Sequence, residues 1–111
     1  MVTKDNLVYV DDIRVAIIKI EQYVGEISFE EFKADSMCQD AVIRNLEVIG
    51  EAANKISTEF ADSHPILPVR QAIDMRNFLI HGYDQIDLAA VWKTVAENLP
   101  PLKEAVAKIL S

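Results

Sequence analysis

A single cysteine, Cys38, excludes an intrachain disulfide, and its place in an apolar helical stripe predicts a buried thiol rather than a nucleophile. Histidine is nearly as scarce. His64 falls in a loop-like stretch, where an exposed loop histidine is expected, and His81 at a helix end. With no His-x-x-x-His spacing and no cysteine pair, neither a metal site nor a cofactor is expected. With only 3 glycines, and half the residues hydrophobic, the chain is not a disordered tail but a folded, helix-rich protein. No stretch alternates with period two, no Asn-Gly hairpin turn occurs and no segment repeats, which leaves an all-α class. No apolar run approaches a membrane span. Lys4, Asp5, Asp11, Asp12 and Arg14 interrupt the N-terminal stretch where a signal peptide needs apolar residues, so a soluble, cytoplasmic protein without a membrane partner is expected. Basic charge is also short: 11 Lys and Arg against 18 Asp and Glu give a net charge of −7. Affinity for phosphate comes mainly from basic side chains, so long-range attraction of nucleic acid should be poor.

What is present is helical periodicity. At 111 residues the chain is expected to be one domain, residues 1–111, able to bury one core. Leu7, Val10, Ile13, Ile17, Ile20 and Val24 recur at steps of three and four and predict a helix from about residue 6 to 25, with Gly25 near its end. Ser28 with Glu31 is a capping box, and Ile27 with Phe32 has the spacing of a hydrophobic staple, so a short helix begins there. Asp35 or Ser36 caps a long helix to about Ser57 whose buried stripe is Cys38, Val42, Leu46, Ile49, Ala53 and Ile56. Its other face carries a polar line, Asp40, Arg44, Glu47, Glu51 and Asn54. That line is either a solvated face with Asp40–Arg44 and Glu51–Lys55 pairs or a wall of an active cleft. Thr58 to Leu67 reads as a loop. Asp87 can cap a helix carrying Leu88, Val91, Trp92, Val95 and Leu99, which Pro100-Pro101 should break or kink before a last apolar face of Leu102, Val106, Ile109 and Leu110. Four or five such helices joined by short loops make an up-and-down bundle the economical architecture.

The chemistry is concentrated in Arg76-Asn77-Phe78-Leu79-Ile80-His81-Gly82-Tyr83, a guanidinium, an imidazole and a phenol within one short stretch at a helix end. Residues 68–83 hold 2 basic groups and 1 acidic one, the only net-positive segment of the chain. Pro68 suits the first position of this helix, and Val69, Ala72, Ile73, Phe78, Leu79 and Ile80 should keep one side buried. Gly82 should stop the helix and leave His81 as its last residue. Arg76 and His81 are about 140° apart around a regular helix, so only the long arginine side chain can bring the two groups together, whereas Asn77 and His81 stack. An Arg and a His that both reach one phosphodiester suit metal-free RNA cleavage, because the 2′-hydroxyl is an internal nucleophile. The competing reading of the same residues is a histidine and a glycine ending a helix, with Arg76 paired to Asp74 or to a carboxylate on the long helix.

Arg76, four residues, His81, one residue, Tyr83 resembles the signature of the HEPN superfamily. The stretch Arg44 to Ala53 is similar to the long helix of its HepT-like branch, as are the Asp-Asp-Ile-Arg helix start and the pattern Val91-Trp92 followed by Leu99 to Lys103. This resemblance covers nearly the whole chain. It implies a HEPN-like helical homodimer and a metal-independent endoribonuclease toxin that cuts RNA with Arg76 and His81. It also implies a cognate antitoxin, a minimal nucleotidyltransferase that attaches AMP to Tyr83. Asn77 matches the polar residue following the family's arginine, and Arg44 and Glu47 stand beside the site. Asp74 and Val69 depart from the family's usual small and aromatic residues, and Asp74 is expected to pair with Arg76 and weaken RNA binding. A rival function is a non-catalytic helical module that binds and positions a nucleotidyltransferase, which the net charge of −7 would suit.

Overall fold

A computed structural model describes residues 5–81 and 86–111, with the backbone alone for residues 79–81. Among the described residues there is no strand. The elements are α1 (Asn6–Val24), α2 (Phe29–Lys33), α3 (Ser36–Lys55), α4 (Thr58–Ser63), α5 (Val69–His81), α6 (Leu88–Lys93), a π-helical segment (Thr94–Asn98) and α7 (Leu99–Leu110).

Short-range chemistry sets most of the boundaries. The Asp5, Ser28, Asp35 and Asp87 side chains each accept backbone N–H groups at the start of α1, α2, α3 and α6, and the reciprocal capping box of Ser28 and Glu31 is complete. Gly25 ends α1 at φ 48°, a left-handed conformation that glycine enters without a Cβ clash. Pro68 stands one residue before α5 rather than inside it, and its carbonyl accepts from the Ala72 N–H at 3.1 Å.

α3 is the central rod. α1 packs antiparallel along one side of it, as Asn6 exchanges hydrogen bonds with Ser57 at one end and the Cys38 thiol meets the Tyr23 carbonyl at 3.5 Å at the other. α5 packs along the other side, and α7 lies on α1 with Lys103 reaching Glu21 at 2.9 Å. α2 and α6 close one end, where the Phe32 and Trp92 rings are 5.1 Å apart. All six residues of the α3 stripe are buried, together with Val10, Ile13, Ile17 and Ile20 of α1. Burial, reinforced by nearby Asp35, pushes the Cys38 thiol above its ordinary range, so the thiol is a packing group.

Four sequence expectations are corrected. Residues 58–63 form a helix instead of a loop, because Ser57 caps it by accepting from the Phe60 N–H at 3.1 Å. His64 at its end is half-buried, stacked on Phe60 with the ring centroids 4.0 Å apart. Pro100-Pro101 does not break the last helix. The two prolines lack the N–H groups that would bond back to Ala96 and Glu97, and their rings would collide with those carbonyls in a regular helix. The turn before them widens instead: the Leu99 N–H bonds to the Thr94 carbonyl, five residues back, and the chain runs on into α7 with Pro100 and Pro101 in its first turn. Phe78, expected inside, is 58% exposed. It lies about 200° around α5 from Arg76, opposite the face that meets α3.

Candidate active site

The site is built where α5 crosses α3. Arg76 falls on the same side of α5 as the buried Ala72 and Ile73, so its stem enters the interface instead of leaving it. Room for it comes from Gly50 in the middle of α3. A Cβ on Gly50 would overlap the Arg76 Cβ and lie 2.8 Å from its Cγ and 3.0 Å from its Cδ. The glycine therefore serves a close approach, with the Arg76 stem lying across the bare backbone of α3.

The electrostatic surroundings of the Arg76 guanidinium are unusual. Its Nη2 donates to the Asn77 Oδ1 at 2.9 Å, while the Nε–H is buried with no hydrogen-bond partner. No described carboxylate forms an ion pair with it. Asp74, two residues back and about 160° around the helix, pairs with Arg70 at 3.5 Å, and this overturns the expected Asp74–Arg76 contact. A guanidinium in a protein cannot shed its charge. Arg76 thus presents a permanent cation, steered by a neutral amide and uncompensated by any acid among the described residues.

The Asn77 contact also bears on the 140° separation from His81. By turning onto Asn77, the Arg76 head group swings toward the face on which His81 follows one turn later. α5 ends at His81, as the sequence predicts. Gly82, with the stop assigned to it, and Tyr83 lie outside the described residues, as does the His81 side chain.

Arg44 and Glu47, predicted beside the site, fall on the stretch of α3 that runs level with the later turns of α5. α3 and α5 run antiparallel with Gly50 opposite Arg76, and Ala53 and Ile56 share a cleft wall with Val69 and Ile73. Six residues back from Gly50 is about 9 Å and five residues on from Arg76 is about 7.5 Å, so Arg44 stands level with the end of α5. Arg44 Nη1 lies 3.7 Å from Glu47 and 3.8 Å from Glu51, not beside Asp40 as expected, and Lys55 lies over the Tyr9 ring at 6.0 Å instead of meeting Glu51. That cleft, of about 550 Å³, lies at the opposite end of α5, where Asn54, Asp62, Leu67, Arg70 and Gln71 also line it, and it includes none of Arg44, Glu47, Gly50, Arg76 and Asn77. Gly50 is the position at the crossing that periodicity missed. Its signal was a glycine in the middle of a long amphipathic helix, where it weakens the helix by about 1 kcal/mol relative to alanine and so needs a packing reason.

A family model described as ribonuclease HepT-like matches residues 13–109. A Thermococcus cleftensis protein named "Probable ribonuclease HepT" is 46% identical over 101 residues, which is 91% of this chain and 92% of that protein. A Methanocaldococcus jannaschii protein named "Putative RNase" is 35% identical over 106 residues, 96% of this chain and 97% of its own length. A second protein of that organism, named "Gamma-glutamylcyclotransferase and putative RNase", is 36% identical over 107 residues, matching 96% of this chain to 48% of a longer protein. No solved structure matches significantly. The family match begins inside α1 and runs to the last turn of α7, taking in the whole α3–α5 crossing, and on that extent the chain belongs to the HepT-like ribonuclease family.

Proposed function

We propose that this protein is a metal-independent endoribonuclease, the toxin of a toxin–antitoxin pair, with Arg76 and His81 at the reacting phosphate. The observation that supports Arg76 in this role is its guanidinium, which has no carboxylate partner among the described residues, with a stem laid across Gly50 and a hydrogen bond to Asn77. In the reaction the 2′-hydroxyl oxygen attacks the adjacent phosphorus and the bond to the 5′-oxygen of the next nucleotide breaks. The products are a 2′,3′-cyclic phosphate and a 5′-hydroxyl. His81 takes the proton of the attacking hydroxyl, a proton from water completes the departing 5′-hydroxyl, and Arg76 stabilises the charge that builds on the phosphorane oxygens. One helix end makes a shallow site, so two protomers bring their α5 ends together around one cleft as a homodimer. The antitoxin is a minimal nucleotidyltransferase that attaches AMP to Tyr83, placing a phosphate where Arg76 and His81 would hold RNA and adding charge that repels it.

Purified protein incubated with single-stranded RNA in the presence of EDTA is the test. Cleavage leaving a cyclic phosphate, lost in Arg76→Ala and in His81→Ala at equal helicity, is the expected result. Either variant cutting at the parent's rate would remove that residue from the mechanism. A rival reading, a binding module for a nucleotidyltransferase, draws on the net charge of −7 and requires the parent itself to leave RNA intact. Co-expression with such a partner, followed by intact mass and peptide mapping, tests the tyrosine: no AMP on the Tyr83 peptide removes that step.

A further inference from the structure

Arg44 does not project straight into solvent. Its guanidinium is drawn along α3 to within 3.7 Å of Glu47 and 3.8 Å of Glu51, two turns further on. Glu51 directly follows Gly50, the residue that Arg76 crosses. Two guanidinium groups therefore reach the same two turns of α3, one running along the helix and the other coming over it from α5. They differ in how they are held. Arg76 has no carboxylate among the described residues, whereas Arg44 is shared loosely between two. Charge-assisted hydrogen bonds run at about 2.7–2.9 Å. Both Arg44 contacts are longer than that, and its side chain is 64% exposed, so little stability is lost when it exchanges one anion for another. Without the two carboxylates, an exposed arginine side chain would sample many rotamers. With them, its head group is held along the two turns of α3 that include Gly50.

We infer that Arg44 is a second phosphate contact for the RNA strand, taking a phosphate next to the one held by Arg76, while Glu47 and Glu51 keep its guanidinium over the crossing until the strand arrives. This rests on the ribonuclease reading above and gives a chain of net charge −7 a second local cation where RNA must sit. Local placement matters here, because screening over roughly 8 Å at physiological salt removes the help or hindrance of distant charges.

The experiment measures binding of a short single strand carrying 2′-O-methyl groups, which cannot be cut, across a series of salt concentrations, for the parent, Arg44→Ala and Arg44→Lys. A lost phosphate contact on a single strand reduces the slope of log K against log salt by about 0.7. Arg44→Ala should show that reduction with severalfold weaker binding at fixed salt, and Arg44→Lys, which keeps the charge, should restore the parent slope. On cleavable RNA, Arg44→Ala should raise KM more than it lowers kcat. Circular dichroism of each variant checks that the fold is intact. A parent that cuts RNA while Arg44→Ala keeps the parent slope overturns the contact and leaves the nuclease standing. Equal loss of slope in both variants points to altered packing and overturns it too. A parent that binds with an Arg44-dependent slope but cuts no RNA supports the contact and removes the nuclease. Failure of the parent to bind the strand at low salt overturns both.

Discussion

The first turn of α5 and its later turns treat the same residue type in opposite ways. Arg70 has a side chain 78% exposed and is paired with Asp74 one turn on. Arg76 is half-buried, its Nε–H has no partner, and its one described hydrogen bond is to the neutral amide of Asn77. If stability alone governed the helix, the order would be reversed, because an exposed pair contributes only a few tenths of a kcal/mol and a buried unpaired donor costs about 1–3 kcal/mol. The acid sits where it stabilises least. What the contrast teaches is that the later turns of α5 hold a cation with no carboxylate partner among the described residues, at some expense to the fold, as a site for an anionic ligand would require.

The comparison is most easily broken by exchanging each arginine for alanine. Arg76→Ala should lower the cleavage rate by about 10²–10³-fold or more, the loss seen when one preorganised charge-stabilising donor is removed. Its melting temperature should stay close to the parent's, since removal of an orphaned buried donor offsets the lost packing of the stem. Arg70→Ala should change the rate by less than about twofold, as expected for a solvated ion pair. Equal losses from the two substitutions, measured as initial rates at matched helicity, would mean that the burial of Arg76 carries no functional weight.

A smaller effect is expected at Gly50. Alanine is the better helix former by about 1 kcal/mol, so on propensity alone Gly50→Ala should stabilise α3. The Cβ overlap with Arg76 acts against this, forcing α5 away from α3 at an overpacking cost of about 1–3 kcal/mol. The net expectation is a lowered melting temperature. A displacement of about 1 Å at a catalytic group can reduce rate about 10²-fold, so activity should fall with it. Asn54→Ala, an exposed position on α3 at the Arg70 end, is the matched control and should be neutral or slightly stabilising. A Gly50→Ala protein that melts higher and cuts as fast would show that the crossing is looser than its geometry implies.

Much of the helical frame around this contrast is legible in the sequence, although the contrast itself is not. The six-residue α3 stripe was read in full from its three- and four-residue steps, because one helix face buried against two neighbours leaves an unambiguous period. The caps at Ser28 and Asp87 follow from residue type and spacing, and the structure chooses Asp35 over Ser36 for α3. α4 was missed because its six residues hold too few apolar positions to show a period, so that only the Ser57 cap marked it. Pro100-Pro101 misled because local rules give the penalty of proline in a regular helix but not the option of widening the preceding turn, which the burial of Leu99 and Leu102 on either side rewards. At the site, Arg76 and Asn77 stood out by type, whereas Gly50 did not. Which residue faces Arg76 depends on the register of two helices joined through α4 and a turn, and no short-range pattern encodes it. The assignment of Asp74 to Arg76 failed for a similar reason. Proximity along the chain was read as proximity in space, although residues two apart on a helix point nearly opposite ways.

The finest test of the comparison is Asp74→Asn. Asp74 is the acid nearest in sequence to Arg76, and the ion pair that occupies it lies on the far side of α5 with side chains 78% and 63% exposed. A pair of this kind, four residues apart on a solvated helix face, contributes about 0.3–0.5 kcal/mol, so the loss of stability should be barely resolvable in a denaturant titration. Its influence on the Arg76 guanidinium must pass through screened solvent around the helix. At physiological salt the screening length is roughly 8 Å, so the negative charge should be nearly invisible to a phosphate bound at the crossing. Asp74→Asn should therefore cut RNA within about twofold of the parent in physiological salt, with any gain appearing only as salt is lowered and the screening length grows. The sign of that salt dependence carries the information. A gain that grows at low salt is a long-range field effect and leaves the two ends of α5 as distinct as the geometry has them. A large gain that persists at high salt would mean that Asp74 reaches Arg76 directly when RNA is absent, and the two arginines would then be competitors for one carboxylate instead of opposites.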